Sequence, residues 1–210
     1  MTCLAALKLP GTMPIRRGIN SVIFLLPEKN PENNGDSALY LLGECQDCEA
    51  LNAALKARIE SLAESQIFHR NHYLGGRYEN LYVAPGAIPE MRVILDLATA
   101  QAANILKRPK KDLRLGWWLN IMQPGDMTFP HTHDDNAELL SGVYYIVVPL
   151  HSGKLLLAKG TQCAEVDPRA GRFVYFKPDV LHEVTRNESD CPRISTGFNV
   201  GPAENEVSET

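Results

Sequence analysis

The chain lacks most of the features that would assign it quickly. No stretch approaches the roughly eighteen consecutive apolar residues of a membrane span, and no basic segment followed by an apolar run heads it in the manner of a secretory leader. The expectation is an intracellular, cytoplasmic protein with no membrane partner. A dominant charge sign is missing too. Twenty-one Lys and Arg against 25 Asp and Glu leave a formal net charge of −4, and the basic residues are scattered, so nucleic acid is not an expected partner. The densest basic run, Lys107-Arg108-Pro109-Lys110-Lys111, reads as a solvated helix end, where cations oppose the helix dipole. Cysteine is scarce and odd in number: Cys3, Cys45, Cys48, Cys163 and Cys191 do not suggest a disulfide framework, and a reduced compartment fits them. Cys45-Gln46-Asp47-Cys48 is a C-x-x-C before a helical pattern, but it lacks both a βαβ context and a second C-x-x-C for zinc. Two small half-buried residues at a helix start are the favoured reading. There is no internal repeat and no low-complexity tract.

What is present divides in two. Before residue 112 the pattern predicts two short strands, Val22 to Leu26 and Ala38 to Leu42, joined by a polar loop from Pro27 to Asp36. Two helices follow. One lies within Cys48 to Ser65, with Leu51, Leu55, Ile59 and Leu62 on one face. The other runs from about Pro89 to Leu106, with Met91, Ile94, Leu95, Ala98, Ala102 and Ile105 on its stripe and Pro109 stopping it. His69 and His72, three apart, would share a helical face and read as surface or lid residues. The segment His69 to Gly86 and the loop Pro27 to Asp36 are taken as covers for a site. His151 falls in a hairpin turn before Gly153 and reads as solvated.

After residue 112 the texture is β: Leu113 to Met122, Leu140 to Val148, Gly153 to Leu157, Arg172 to Phe176 and Arg193 to Val200 are apolar or alternating runs cut by Gly, Pro and Asp. Helices first and strands last predict a mainly β, α+β protein with N-terminal helices buttressing one face of a β-core. The whole chain is expected to be one domain: supporting strands and helices over 1–111, the core over 112–200, a flexible tail over 201–210.

Three histidines of the β half stand where chemistry is plausible. In an extended strand, residues i and i+2 share a face about 6.6 Å apart, so His131 and His133 of Pro130-His131-Thr132-His133 can converge on one ion. His133 and Asp135 can do the same; His131 and Asp135, about 13 Å apart along a strand, need a bend. His182, beyond the strand Arg172 to Phe176, supplies a candidate third ligand. Taken singly, each is more readily an ordinary hydrogen-bonded histidine. Arg193 and Ser195 then lie on one strand face, a bidentate fork beside a hydroxyl, which together suit a carboxylate.

The set Trp118-Leu119-Asn120, Pro124-Gly125, Pro130-His131-Thr132-His133, Ser141-Gly142-Val143-Tyr144-Tyr145, Phe176-Lys177-Pro178, Leu181-His182-Glu183-Val184 and Arg193-Ile194-Ser195 ending in Phe198-Asn199 resembles the Fe(II)/2-oxoglutarate-dependent oxygenases. The likeness is to a bacterial and phage group similar to the prolyl hydroxylases, and it spans roughly residues 117 to 200. It implies a double-stranded β-helix, jelly-roll or cupin-like, and a hydroxylase or dioxygenase activity using Fe(II), 2-oxoglutarate as co-substrate and O2. It also implies metal ligation by His131 and His182, and 2-oxoglutarate binding by Arg193, Ser195, Tyr145 and Asn120. Strand parity allows only one of Tyr144 and Tyr145 inside, and the resemblance points to Tyr145. The family's strand pair is His-x-Asp/Glu. Here His133 occupies the acid's place, so the third ligand is His133 or, in a shifted register, Asp135. Three histidines also describe catalytic zinc, which keeps open a cupin-like metal protein working without 2-oxoglutarate, or a non-catalytic metal-binding protein. The partners expected are a small-molecule or protein substrate and, as the assembly, a homodimer.

Overall fold

In the computed structural model residues 22–25, 38–133 and 137–203 are described. In chain order they form β1 (Val22–Leu25), β2 (Tyr40–Cys45), α1 (Glu49–Glu60), β3 (Ile67–Leu74), β4 (Arg77–Val83), α2 (Met91–Leu106), β5 (Leu113–Met122), β6 (Thr128–His131), β7 (Leu140–Val147), β8 (Leu155–Lys159), β9 (Gln162–Val166), β10 (Arg172–Phe176), β11 (Leu181–Val184) and β12 (Arg193–Pro202). Two antiparallel sheets result. The larger runs β1-β2-β10-β7-β12-β5-β4-β3 and the smaller β6-β11-β8-β9. This is the double-stranded β-helix, with the two helices on one face of the larger sheet.

Alternation along the strands divides the interior. Tyr144, Phe173, Tyr175 and Phe198 join Leu51, Leu55, Ile59, Ile94 and Ala98 in a helix-side core. Their neighbours Tyr145, Val174 and Phe176 join Met122, Leu155, Leu157 and Val184 between the sheets. Both sets are shielded from water, and each fully buried large aliphatic or aromatic side chain contributes roughly 1.5–3 kcal/mol. Most of the expected stripe residues are buried, Leu51, Leu55 and Ile59 on α1 and Met91, Ile94, Ala98 and Ala102 on α2, while Leu95 and Ile105 are half-buried and Leu62 lies beyond the end of α1. Close packing over β7 depends on Gly142, where a Cβ would lie 2.5 Å from Phe198 Cζ and 2.9 Å from the Val174 carbonyl.

Two expectations need correction. Residues 69–86 are largely not a loose cover: β3 and β4 form a hairpin that extends the larger sheet beyond β5. His69 and His72 therefore sit on a strand and share no helical face. The turn is Gly75-Gly76, with φ of +58° and +89°, the left-handed pair that a two-residue hairpin needs. His182 lies in a strand of its own, β11. The loop Pro27 to Asp36 and Asp135 lie outside the described residues.

Candidate active site

Between the sheets is a cavity of about 70 Å3 whose wall includes Asn120, His131, His133, Tyr145, His182, Arg193 and Ser195, every described residue singled out above for metal or co-substrate. Register explains the convergence. His131 on β6 is directly opposite His182 on β11. Ser195 on β12 is opposite Asn120 on β5 and Tyr145 on β7, so the three form one row on the cavity face. Tyr144, with the other parity, points to α1, where its hydroxyl donates to Asn52 Oδ1 at 2.8 Å.

The candidate ligand nitrogens of His131, His133 and His182 all lie within 4.8 Å of one another. Hydrogen bonds decide which nitrogens these are. Nδ1 of His131 is 2.8 Å from the Phe129 carbonyl and Nδ1 of His182 is 3.0 Å from the Val180 carbonyl. A carbonyl only accepts, so each Nδ1 carries the proton and Nε2 holds the lone pair. His133 Nδ1 donates to Asn199 Oδ1 at 2.9 Å, and Ser141 Oγ donates to the same oxygen at 2.8 Å. The His133 amide donates to the Pro178 carbonyl at 2.8 Å, fastening the segment beyond β6 to the loop before β11. Orienting contacts of this kind accompany metal-binding histidines. Burial first, then the neighbouring rings of His131 and His133, pushes His182 down to about 3, so it is neutral at ordinary pH, as a ligand must be.

The opposite part of the wall carries a buried cation. Arg193 is 2% exposed; its Nη1 donates to the Ser152 and Gly153 carbonyls at 3.4 and 3.1 Å, and its Cζ lies 5.1 Å from the Tyr145 ring centroid. Burial lowers Arg193 from its ordinary value and Tyr145 opposes this, but a guanidinium stays charged. Arg193 Nε, the Tyr145 hydroxyl and Asn120 Oδ1 are buried with no hydrogen-bond partner, and so is Glu79 Oε1 of the same cavity, which lies 3.6 Å from Arg77 Nη2. Buried polar atoms left so cost about 1–3 kcal/mol each, and four in one cavity point to a polar ligand.

Sequence reasoning missed several members. Asn199 and Ser141 hold His133, and only their cross-strand register brings them together. Trp118 lies over Gly197, where a Cβ would come within 2.6 Å of the indole, and meets His133 edge-on at 5.6 Å. Glu79, 1% exposed, brings a carboxylate to the cavity wall from β4. Burial raises it, while Arg77, Thr128 and His72 act the other way. The signal available for Glu79 was the Gly75-Gly76 hairpin, which places it in a strand.

No family model matches the chain, and no curated protein matches it in sequence. Solved structures do match in shape. A Pseudomonas putida prolyl-4-hydroxylase superposes with a TM-score of 0.55 at 21% identity, covering 74% of this chain and 85% of that one. The non-haem α-ketoglutarate-dependent carbocyclase SnoK from nogalamycin biosynthesis gives 0.61 at 16%, covering 77% and 79%. The viral collagen prolyl hydroxylase of Paramecium bursaria Chlorella virus-1, in complex with 2-oxoglutarate, gives 0.56 at 15%, covering 80% and 98%. What this chain shares with them is the fold, the double-stranded β-helix of prolyl hydroxylases and 2-oxoglutarate-Fe(II) oxygenases.

Proposed function

We propose that the protein is an Fe(II)/2-oxoglutarate-dependent oxygenase, a hydroxylase, with His131, His133 and His182 as the metal ligands. The observation that carries this reading is the pairing, in one cavity, of three converging imidazoles with a buried arginine and unsatisfied polar atoms. The donor set fits iron: three neutral nitrogens on one side leave positions for a chelating co-substrate and O2. Fe(II) held there would supply the redox chemistry, which no side chain of the cavity supplies.

The remaining roles belong to the chain. Arg193 and Ser195 bind the far carboxylate of 2-oxoglutarate, the guanidinium through charge-assisted hydrogen bonds. Tyr145 and Asn120 add polar contacts from the adjoining strands. Leu155, Phe176 and Val184 close the apolar part of the wall and keep water from the reacting groups. Asn199 and Ser141 keep His133 in its ligating tautomer.

The test is direct. Full chain loaded with Fe(II) is expected to bind 2-oxoglutarate and turn it over slowly to succinate under O2. Arg193→Ala is expected to lose that binding while keeping iron, and His182→Ala to lose the metal. Iron-loaded chain that binds no 2-oxoglutarate would refute the reading. In that case the three-imidazole set favours the second one, a cupin-like protein with zinc or another ion, which metal analysis of protein purified without added metal identifies.

A further inference from the structure

Across β7 from the cavity, the chain buries two thiols that the oxygenase reading does not use. Cys45 ends β2 and Cys48 is the N-cap of α1, 7% and 6% exposed. The turn between them needs a left-handed residue, Asp47 at φ +52°, and the Cys45 amide donates to the Gly171 carbonyl at 2.8 Å. The C-x-x-C is thus a closed loop between a strand end and a helix start, both thiols buried, with the Cys45 thiol donating to the Gln46 carbonyl at 3.9 Å.

The surroundings of the two sulfurs differ. A donor chain runs from the buried Tyr144 hydroxyl to Asn52 Oδ1 at 2.8 Å, and from Asn52 Nδ2 to Cys48 Sγ at 3.7 Å. Cys48 also heads a helix, where the macrodipole favours negative charge. Glycine at 171 makes room for it: a Cβ there would stand 2.5 Å from Cys48 Sγ. The neighbouring Cys45 thiol, and to a smaller extent Tyr144, hold the Cys48 thiol down to about 7 against the cost of burial. The same pairing, with burial, pushes Cys45 up. One sulfur is placed to be the thiolate and its neighbour to keep the proton.

We propose that Cys45 and Cys48 are an oxidation site for small hydroperoxides and form a reversible intrachain disulfide, with Cys48 attacking and Cys45 resolving. The Cys48 thiolate attacks one oxygen of hydrogen peroxide; the O–O bond breaks, a sulfenic acid forms and the departing hydroxide takes up a proton as water. Cys45 sulfur then attacks Cys48 sulfur. The S–O bond breaks, the S–S bond forms, and a second water leaves with the Cys45 proton. Two thiols are oxidised by two electrons and one peroxide is reduced to two waters. Burial selects the oxidant, since hydrogen peroxide is little larger than water.

The test uses the folded full chain in buffer containing a chelator. It is exposed to equimolar hydrogen peroxide, denatured, alkylated and digested for mass spectrometry. The expected result is a Cys45–Cys48 peptide two hydrogens lighter and unalkylated, restored by dithiothreitol, with Cys163 still alkylated. Cys45→Ser should accumulate a Cys48 sulfenic acid captured by dimedone. Oxidation of Cys163 while Cys45 and Cys48 remain alkylatable overturns the proposal, as does dimedone labelling of Cys45 in Cys48→Ser at the rate seen for Cys48. The wild-type measurement needs no variant to fold.

Discussion

Replacing Tyr145 by phenylalanine removes one oxygen from the cavity wall, and its two consequences should have opposite signs. The residue is 0% exposed and its hydroxyl has no partner, so in the absence of ligand folding desolvates that oxygen without compensation. Such a group costs about 1–3 kcal/mol. The ring itself packs against Val174 and Phe176 in the inter-sheet core and carries the Arg193 guanidinium 5.1 Å from its centroid, and phenylalanine keeps both contacts. Tyr145→Phe should therefore stabilise the ligand-free protein by about 1 kcal/mol, or about 2–4 °C in Tm for a chain of this size. Under the proposed function the hydroxyl gains an acceptor when 2-oxoglutarate binds. A hydrogen bond to a charged group is worth about 1.5–3 kcal/mol, so the variant should bind 2-oxoglutarate about 10- to 150-fold more weakly. Thermal melts without ligand and calorimetric titration of iron-loaded protein give the two numbers. A lower Tm with unchanged 2-oxoglutarate affinity would refute the reasoning, because it would mean that the hydroxyl serves the fold.

Asn199→Ala removes the acceptor that fixes the His133 tautomer and should weaken metal binding about 10- to 100-fold, read by competition with a chromophoric chelator; Asn199→Asp, which keeps an acceptor, should not. In metal-free protein, stability should fall with pH below about 6.5. His182 has its folded pKa depressed, so between roughly 6.5 and 3 the unfolded chain binds a proton that the native chain refuses, a loss on the order of 4 kcal/mol across that window. Urea titrations of wild type and His182→Asn at pH 7, 5.5 and 4.5 should show the slope shrinking in the variant. Gly142→Ala drives a methyl into Phe198 and the Val174 carbonyl and should cost about 1–3 kcal/mol by overpacking, measured by urea unfolding.

Strands with strong local patterns could be read in the sequence. Leu113–Met122 and Arg172–Phe176 have the predicted ends, because an apolar run cut by Gly, Pro or Asp has few other places to start and stop. Parity alone restricted the inward tyrosine to one of Tyr144 and Tyr145. The β3–β4 hairpin was not found, although Gly75-Gly76 marks it, since His69, His72 and the polar residues around them dilute the alternation. β6, β9 and β11 are four or five residues long and carry too little periodicity to be distinguished from loops. At the site, residue types with chemical meaning were legible, while their supports were not. Asn199, Ser141 and Glu79 act through partners on other strands, and only register brings them together. His133 stands in the histidine cluster; its rival Asp135 lies outside the described residues.

The edge-on contact between Trp118 and His133 also provides an optical handle. Trp117 belongs to the helix-side core, so of the chain's two tryptophans only Trp118 borders the cavity. Its emission should respond when an ion engages the imidazole beside it and again when a co-substrate displaces water from the wall. The order in which the protein takes up its small molecules can then be followed in unlabelled, unmodified chain.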